Sequence, residues 1–387
     1  MHTDITLILT LSLLIWGSPF VSKILHLPIP ATEIILGSFF AYFGFIEENT
    51  YFKLIAEMGF LYLMFLAGME VDLKQLAGSS KEVLHKSVLF LALMAFFSIG
   101  SGYLFGLNPI IVISMPLISI GLLASLSKTY GKEQPWIKLA FIAGILGEVI
   151  SIAVLTIFDA ASTTGMNLQL LVKVGYLIAF LLIVYLLYRA LHLLFWWYPE
   201  LKRTLVPQFD TSDQDIRLAM ALFFILISVM LALDLELALG SFIAGVAISA
   251  FFRHEKSLEH KMSSLGFGFL VPLFFIHVGA SFDIRSVMVD GVLSGALLIT
   301  VLMILSRILA AIALKHIAGS RNALLVGLSL SMPLTLLVAV ATIGYDTKLL
   351  DMLSYYQLIL ASIFEILVVM VTIKVLQGKA EKREDQS

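Results

Sequence analysis

The sequence contains no cysteine, and only 13% of its 387 residues are charged. The missing thiols exclude disulfides and thiolate metal sites. The low charge argues against an ordinary soluble domain, in which about 25% of residues are charged. No basic cluster is interleaved with aromatic residues, so the sequence does not predict a nucleic-acid partner.

What the sequence has instead is apolar side chain, at 60% of residues and a mean hydropathy of +1.00. This composition predicts an all-α polytopic membrane protein. The first residues could be mistaken for a signal peptide. They lack a basic n-region and carry Asp4, so we expect a retained first span.

Apolar runs close to the spanning length of about 20 residues recur along the whole chain. An odd number of runs would place the two termini on opposite sides of the membrane. We count thirteen predicted spans, at 5–22, 29–46, 52–70, 87–106, 109–127, 136–158, 168–195, 216–233, 235–252, 263–283, 286–314, 321–344 and 353–377.

Lysine and arginine are concentrated in alternate loops between these runs. Of the 25 basic residues, 20 fall in one set of loops or at the C-terminal end, and Arg307 lies within a span. The opposite set of loops holds Lys53, Lys173, Arg285 and Lys348. The positive-inside rule then predicts an outside N-terminus and a cytoplasmic C-terminus in the inner (plasma) membrane.

Three short sequences occur twice, in the same order and always seven predicted spans apart. The pairs are 33–41 with 236–244, 68–72 with 279–283, and 114–118 with 331–335. Because seven is odd, the two copies must be inverted, which is typical of secondary transporters. We expect repeat one at 1–160, a linker helix at 165–215, repeat two at 216–377 and a polar cytoplasmic tail at 378–387.

A proline stands at the same place in each copy, within Ser-Met-Pro-Leu. Pro116 and Pro333 each remove a backbone hydrogen bond in mid-span. Such paired interruptions predict two broken helices that cross near the bilayer midplane, although each proline alone could be a plain kink. Ser119 and Thr335 follow the breaks and could offer hydroxyl oxygens to a cation, or bond back to their own helices.

Glu148, Glu365 and Arg307 lie deep within predicted spans, where an ionisable group costs about 2.5–3.5 kcal/mol on insertion scales. Glu148 and Glu365 lie at the same distance after Pro116 and Pro333, so they are predicted to be symmetry mates. Arg307 needs a carboxylate or carbonyl partner, and either glutamate could serve. We predict that Glu148 exchanges a proton for a cation, and that Glu365 compensates charge; a purely structural Glu–Arg bridge is the alternative.

Two segments resemble the cation:proton antiporter-2 family of sodium/proton exchanger-like and potassium-efflux carriers. Residues 57–73, EMGFLYLMFLAGMEVDL, resemble its early motif, and 239–283 are similar to its most specific one, around PLFFIHVGASFD. The likeness runs from about residue 20 to 377. It implies the sodium/proton antiporter fold, a dimer domain and a core domain, elevator-like movement and a homodimer.

The sequence departs from this family's pattern at the predicted ion site. The usual Asn-Asp, Gln-Asp or Asp-Asp pair is Gly147-Glu148 here, and the usual Thr-Ser is Ile118-Ser119. The family's basic residue falls on Arg307. With one clear core carboxylate in the sixth span, we expect electroneutral exchange.

Together these features predict a Na+ or K+:proton antiporter that uses Glu148, Ser119 and Thr335, with no cofactor. An organic-anion carrier of the same architecture, with Arg307 as the anion ligand, is the alternative. A membrane enzyme or sensor is disfavoured, because the sequence has no His/Glu metal cluster, no catalytic aspartate pair, no Ser-His arrangement and no signalling domain.

Overall fold

The structure is a computed structural model that describes residues 2–25, 27–47, 49–71, 78–164, 168–198, 213–252, 256–282, 285 and 288–384. These residues form helices and connecting turns and contain no strand. In chain order the α-helices are α1 (His2–Leu25), α2 (Ile29–Tyr42), α3 (Thr50–Met69), α4 (Lys81–Phe105), α5 (Pro109–Ser114), α6 (Gly121–Tyr130), α7 (Pro135–Thr164), α8 (Leu168–Trp197), α9 (Gln214–Ala232), α10 (Leu237–Phe252), α11 (Lys256–Leu265), α12 (Val271–Ser281), α13 (Val292–Ala310), α14 (Lys315–Ser329), α15 (Leu334–Asp346) and α16 (Met352–Glu384). A π-helical turn, Gly266–Leu270, joins α11 to α12, and a 3-10 turn, Ala311–Leu314, follows α13.

The predicted all-α membrane fold is confirmed, and each predicted apolar run coincides with a helix or with two consecutive helices. Within the described residues, nine stretches are long and apolar enough to cross a membrane, and two shorter apolar helices accompany them. One of the nine, Val292–Asp346, contains α13, α14 and α15. The count of thirteen crossings therefore stays a prediction.

Parts of the predicted topology fall outside the described residues. Lys74, Lys202 and Arg253, which contribute to the charge asymmetry, belong there, as do Asp72 and Asp283 of the repeated segments. The predicted linker corresponds to α8 and to residues beyond it that are not described. The predicted polar tail begins inside α16, whose helical backbone runs to Glu384.

Local side chains set where several helices begin and end. Asn49 accepts the Tyr51 N–H at 2.8 Å and caps α3, and Ser80 accepts the Val83 N–H at 3.2 Å and caps α4. Gly106 closes α4 in the left-handed conformation, with φ of 61°. Each residue satisfies backbone groups that a helix end leaves without an intrahelical partner.

The described chain forms two compact units, residues 1–48, 74–151 and 275–387, and residues 49–73 and 152–274. In the second unit, α3 packs closely against α10. A Cβ at Gly68 would overlap the carbonyl oxygen of Phe242, and one at Gly245 would overlap that of Phe65. Small residues of this kind let membrane helices approach backbone to backbone.

The first unit contains both prolines of the repeated sequence and all three predicted core charges. Here α13 packs against α4 and α16, and α15 packs against α5 and α16. Its largest fully buried side chains include Arg307 and Trp136. A fully buried arginine requires dedicated acceptors, and these lie at the two helix breaks described below.

Asp351 directly precedes α16, and removal of its carboxylate is predicted to destabilise the protein in a pH-dependent way. Its carboxylate accepts the Ser354 N–H at 2.9 Å, and hydrogen bonds from Ser354 hold the pKa of Asp351 below its usual value. Since the folded pKa is lowered, this contribution is present above the unfolded pKa and is lost as pH falls through the folded one. We expect Asp351→Ala to cost about 0.5–2 kcal/mol at pH 7.

The measurement is thermal unfolding of the purified protein in detergent between pH 7 and pH 3. The difference in stability between wild type and Asp351→Ala should shrink below about pH 4. Asp351→Asn keeps a neutral cap acceptor and should not lose its effect in that range. A difference between wild type and the alanine variant that stays constant with pH would contradict the capping role.

Candidate functional site

The first helix break separates α5 from α6. Helix α5 ends at Ser114, Pro116 lies in the turn that follows, and residues 117–120 are not helical. Pro116 has no N–H to donate, and the Leu117 N–H turns back to Ser114 O at 3.2 Å. Backbone groups of the next residues are thereby released inside the protein, where Ile118 and Ile120 are fully buried.

The second break separates α14 from α15 at the equivalent sequence. Helix α14 ends at Ser329, and residues 330–333 connect it to α15. Pro333 caps α15 with φ of −83° and ψ of 45°, and its carbonyl accepts the Leu337 N–H at 2.9 Å. Both prolines thus interrupt helices where the sequence predicts broken helices.

One face of α7 lies against the first break. Its residues Gly144, Gly147, Glu148 and Ser151 follow the i, i+3, i+4, i+7 spacing of a single helix face. A Cβ at Gly144 would lie 2.7 Å from Ile120 Cγ2, and one at Gly147 would lie 2.6 Å from Ile118 Cδ1. The two glycines therefore allow α7 to approach the break closely enough for its polar side chains to reach the backbone.

Two buried polar side chains of α7 accept the released N–H groups. Glu148 Oε2 accepts the Ile120 N–H at 2.9 Å, and Ser151 Oγ accepts the Ile118 N–H at 2.8 Å. Glu148 Oε1 receives the Ser119 hydroxyl at the longer distance of 3.4 Å. Because Ile120 directly precedes α6, the carboxylate lies at the positive end of that helix, which stabilises its charge.

Arg307, on α13, binds the carbonyl groups that the two breaks expose. Its side chain is fully buried. Nη2 donates to Leu117 O in the first break at 2.7 Å, and Nε donates to Leu330 O in the second at 3.2 Å. Nη1 donates to Met303 O on its own helix at 3.1 Å. One guanidinium therefore holds carbonyl oxygens from both breaks.

The sequence left open which glutamate pairs with Arg307, and the structure selects Glu365. Arg307 Nη1 lies 3.4 Å from Glu365 Oε1, and both side chains are fully buried. The same oxygen accepts the Ser331 hydroxyl at 2.6 Å, so Glu365 also contacts the second break. Glu365 Oε2 is buried with no hydrogen-bond partner among the described residues.

The structure thus divides the predicted site residues between two groups. Glu148 and Ser119 meet at the first break, whereas Arg307 and Glu365 form an ion pair. Thr335 lies in the first turn of α15, and its buried hydroxyl has no hydrogen-bond partner among the described residues. Its assignment to the cation therefore stays a prediction.

The sequence reasoning missed three residues of the site. Ser151 and Gly144 share the helix face of Glu148, and Ser331 lies in the second break beside Pro333. The signal for the first two was present as small or polar residues at helical spacing around a buried acid in an otherwise apolar helix. Ser331 lies within the repeated Ser-Met-Pro-Leu, but its contact with Glu365 depends on how distant helices pack.

In chemical terms, the site provides a buried carboxylate whose described partners, the Ile120 N–H and the Ser119 hydroxyl, are neutral. The nearby positive charge of Arg307 is already matched by Glu365. A carboxylate in this setting can accept either a proton or a monovalent cation. The described residues contain no group of three or more His, Asp or Glu side chains suited to a metal ion.

Comparison with known proteins finds a matching family and similar proteins. A family model described as the transmembrane sodium/hydrogen exchanger matches residues 8–378. The putative Na+/H+ antiporter YjbQ of Bacillus subtilis is 26% identical over 94% of this chain, which spans 61% of that relative's length. A Na+/H+ antiporter of Enterococcus hirae is 24% identical over 87% of both chains.

A solved structure shares the fold at low sequence identity. It is that of the sodium proton antiporter MjNhaP1 from Methanocaldococcus jannaschii at pH 8, with a TM-score of 0.67 and 14% identity. The match covers 96% of this chain and 97% of that one. The likeness extends to nearly every residue of both chains and is one of fold.

Replacement of Arg307 is predicted to be strongly destabilising. Arg307→Ala would leave the buried Glu365 carboxylate without its counter-charge and the carbonyls of Leu117 and Leu330 without their donor. We expect a cost of about 3–5 kcal/mol. Thermal unfolding in detergent measures this loss. Arg321→Ala is the matched control, because Arg321 donates at an exposed position to Leu376 O and Gln377, and it should cost about 1 kcal/mol or less.

The double variant Arg307→Met/Glu365→Met removes both buried charges together. We expect it to recover part of the stability that Arg307→Ala loses, because no uncompensated carboxylate remains. If Arg307→Ala were no more destabilising than Arg321→Ala, the guanidinium would not hold the breaks together.

Proposed function

Because the chain belongs to the transmembrane sodium/hydrogen exchanger family, we propose that it is a monovalent cation:proton antiporter in which Glu148 binds either ion in turn. The observation that carries the proposal is the position of the Glu148 carboxylate. It is fully buried at a helix break, and its described partners are neutral groups. One proton and one cation that compete for one carboxylate are the simplest means of coupled exchange.

The distribution of charge supports electroneutral exchange. Arg307 and Glu365 neutralise each other at 3.4 Å, so Glu148 is the remaining negative charge among these three residues. Either a proton or a monovalent cation would neutralise it, and the site would carry the same net charge in both loaded states. Exchange of one cation for one proton follows.

Sodium is the favoured cation, and potassium is the alternative. The relatives from Bacillus subtilis and Enterococcus hirae are named for sodium/proton antiport, which supports Na+. Glu148 and Ser119 would supply oxygen ligands. The hydroxyl of Thr335, which has no hydrogen-bond partner in the described part of the chain, is a further candidate ligand. Hard oxygen ligands suit small hard cations of this kind.

The structure disfavours the alternative of an organic-anion carrier. An anion would need donors from Arg307, yet three of its five N–H groups already donate to carbonyl oxygens, one from each side-chain nitrogen. Its charge is also matched by Glu365. An anion would therefore compete with a buried carboxylate for this charge, at a cost that its own binding would need to exceed.

Alternating access would follow from the two inverted repeats, 1–160 and 216–377, joined by the linker at 165–215. In this proposal the region with the broken helices moves in an elevator-like manner and carries Glu148 from one side to the other. The protein would work as a homodimer in the inner membrane, with its N-terminus outside and its C-terminus in the cytoplasm. The equivalent breaks support the inverted repeats, and the distribution of basic residues supports the orientation of the termini. The homodimer and the elevator-like movement follow from the family resemblance.

The test is exchange in proteoliposomes with an imposed pH gradient, read with a pH-sensitive dye. Na+, K+ and Li+ are added in turn, and wild type should dissipate the gradient with at least one of them. Glu148→Gln should reduce the response to background, because a neutral amide can neither take up and release a proton nor supply the negative charge for which the two ions compete. Clamping the membrane potential should leave the wild-type rate unchanged if exchange is electroneutral.

Glu33→Gln is the matched control, because Glu33 is also buried and accepts a hydroxyl, that of Ser18 at 3.0 Å, on another helix pair. It should retain exchange. A wild-type protein that responds to no cation would reject antiport. An undiminished response in Glu148→Gln would reject the site.

A further inference from the structure

We infer that Ser151 is a positioning residue of the ion site, which holds the Ile118 N–H so that Oε1 of Glu148 stays available to the transported ion. The inference rests on the proposed function and adds the residue that prepares the carboxylate. Ser151 lies one helical turn beyond Glu148 on the same face of α7 and is 3% exposed. It does not itself have to contact the ion.

The backbone of the first break presents two N–H groups to α7. Residues 117–120 lie outside α5 and α6, and the N–H groups of Ile118 and Ile120 both donate to side chains of α7. Each of these buried donors needs an acceptor, because an unsatisfied buried N–H is destabilising.

The two N–H groups are accepted by different side chains, so only one oxygen of Glu148 accepts a short hydrogen bond. The Ile120 N–H occupies Oε2 at 2.9 Å, whereas Ser151 takes the Ile118 N–H at 2.8 Å. Oε1 is left with the Ser119 hydroxyl at 3.4 Å, near the long limit for a hydrogen bond. This weakly held oxygen, together with the Ser119 hydroxyl, is the position at which a cation meets the least competition.

Loss of the Ser151 hydroxyl would change which side chain accepts the Ile118 N–H. Without Ser151 Oγ, the Ile118 N–H would be buried without an acceptor, and Glu148 is the other polar side chain on this face of α7. If Oε1 turned to accept this N–H, a cation would have to compete with a second backbone donor. The consequence is weaker cation binding without loss of the carboxylate itself.

Gly147 maintains the same arrangement through packing. A Cβ there would lie 2.6 Å from Ile118 Cδ1 and 3.1 Å from Ile118 Cβ, so the Ile118 side chain occupies the space that a side chain at 147 would need. The glycine therefore keeps Ile118 in line with Ser151. Because Ile118 fills the space beside position 147, the second polar side chain on this face of α7 is Ser151, one turn beyond Glu148.

The test compares cation dependence in the proteoliposome exchange assay. We expect Ser151→Ala to raise the KM for the cation about tenfold, the loss equivalent to one hydrogen bond of about 1.4 kcal/mol. The maximal rate should change less than about twofold, by the same reasoning that the carboxylate itself is intact. Ser151→Thr keeps the acceptor and should restore the wild-type KM.

Ser241→Ala is the matched control, since Ser241 is fully buried on α10 and its hydroxyl bonds within its own helix, to Leu237 O at 3.0 Å. It should leave KM unchanged. A Ser151→Ala protein with a wild-type KM, whatever its maximal rate or yield, would overturn the inference. That outcome differs from a wild-type protein with no cation response, which would reject the proposed function instead.

A second pair of variants decides the matter if Ser151→Ala does not fold. Gly147→Ala should displace Ile118 and raise KM in the same way, and adding Ile118→Val removes the Cδ1 atom nearest the new methyl group. The double variant should return toward the wild-type KM. A Gly147→Ala protein with unchanged KM, or a double variant that shows no recovery, would count against the inference.

Discussion

The constraint on which this structure depends is that backbone N–H and C=O groups at the two helix breaks, inside an apolar protein, need hydrogen-bond partners. Each proline break releases N–H and C=O groups where neither water nor lipid can satisfy them, and each unpaired group is costly. Buried polar side chains supply these hydrogen bonds. Glu148 and Ser151 accept the N–H groups of the first break, and Arg307 donates to carbonyls of both breaks. These buried polar residues therefore have a structural role, as partners of the backbone, apart from any role in the proposed ion binding.

The two breaks have similar sequences but different electrostatic roles. At the first, a carboxylate meets the positive end of a helix through a backbone N–H. At the second, the equivalent carboxylate of Glu365 binds the Ser331 hydroxyl and Arg307. Arg307 thus pairs with Glu365 and leaves Glu148 with neutral partners among the described residues. Under the proposed function, Glu148 is the acid that exchanges ions. Two glutamates at equivalent positions of the repeated sequence therefore have different partners in the structure.

Close packing makes this chemistry possible. Without Gly144 and Gly147, side chains on α7 would collide with Ile118 and Ile120, and Glu148 could not reach the backbone of the break. Glycines also bring α3 and α10 together elsewhere in the chain. In a membrane protein, where apolar contacts between helices compete with equivalent contacts to lipid, such close approach is a principal source of specificity.

The sequence by itself determined the apolar helices, the two proline breaks and the buried charges of Glu148, Arg307 and Glu365. Hydropathy, proline chemistry and the cost of intramembrane charge are local properties. Only the tertiary structure decided that Arg307 pairs with Glu365, that it reaches Leu117, 190 positions away, and that Ser151 shares the break with Glu148. Spacing along a helix tells which residues share a face. The backbone atoms that this face contacts depend on how helices distant in sequence pack together. A local sequence pattern does not predict that packing.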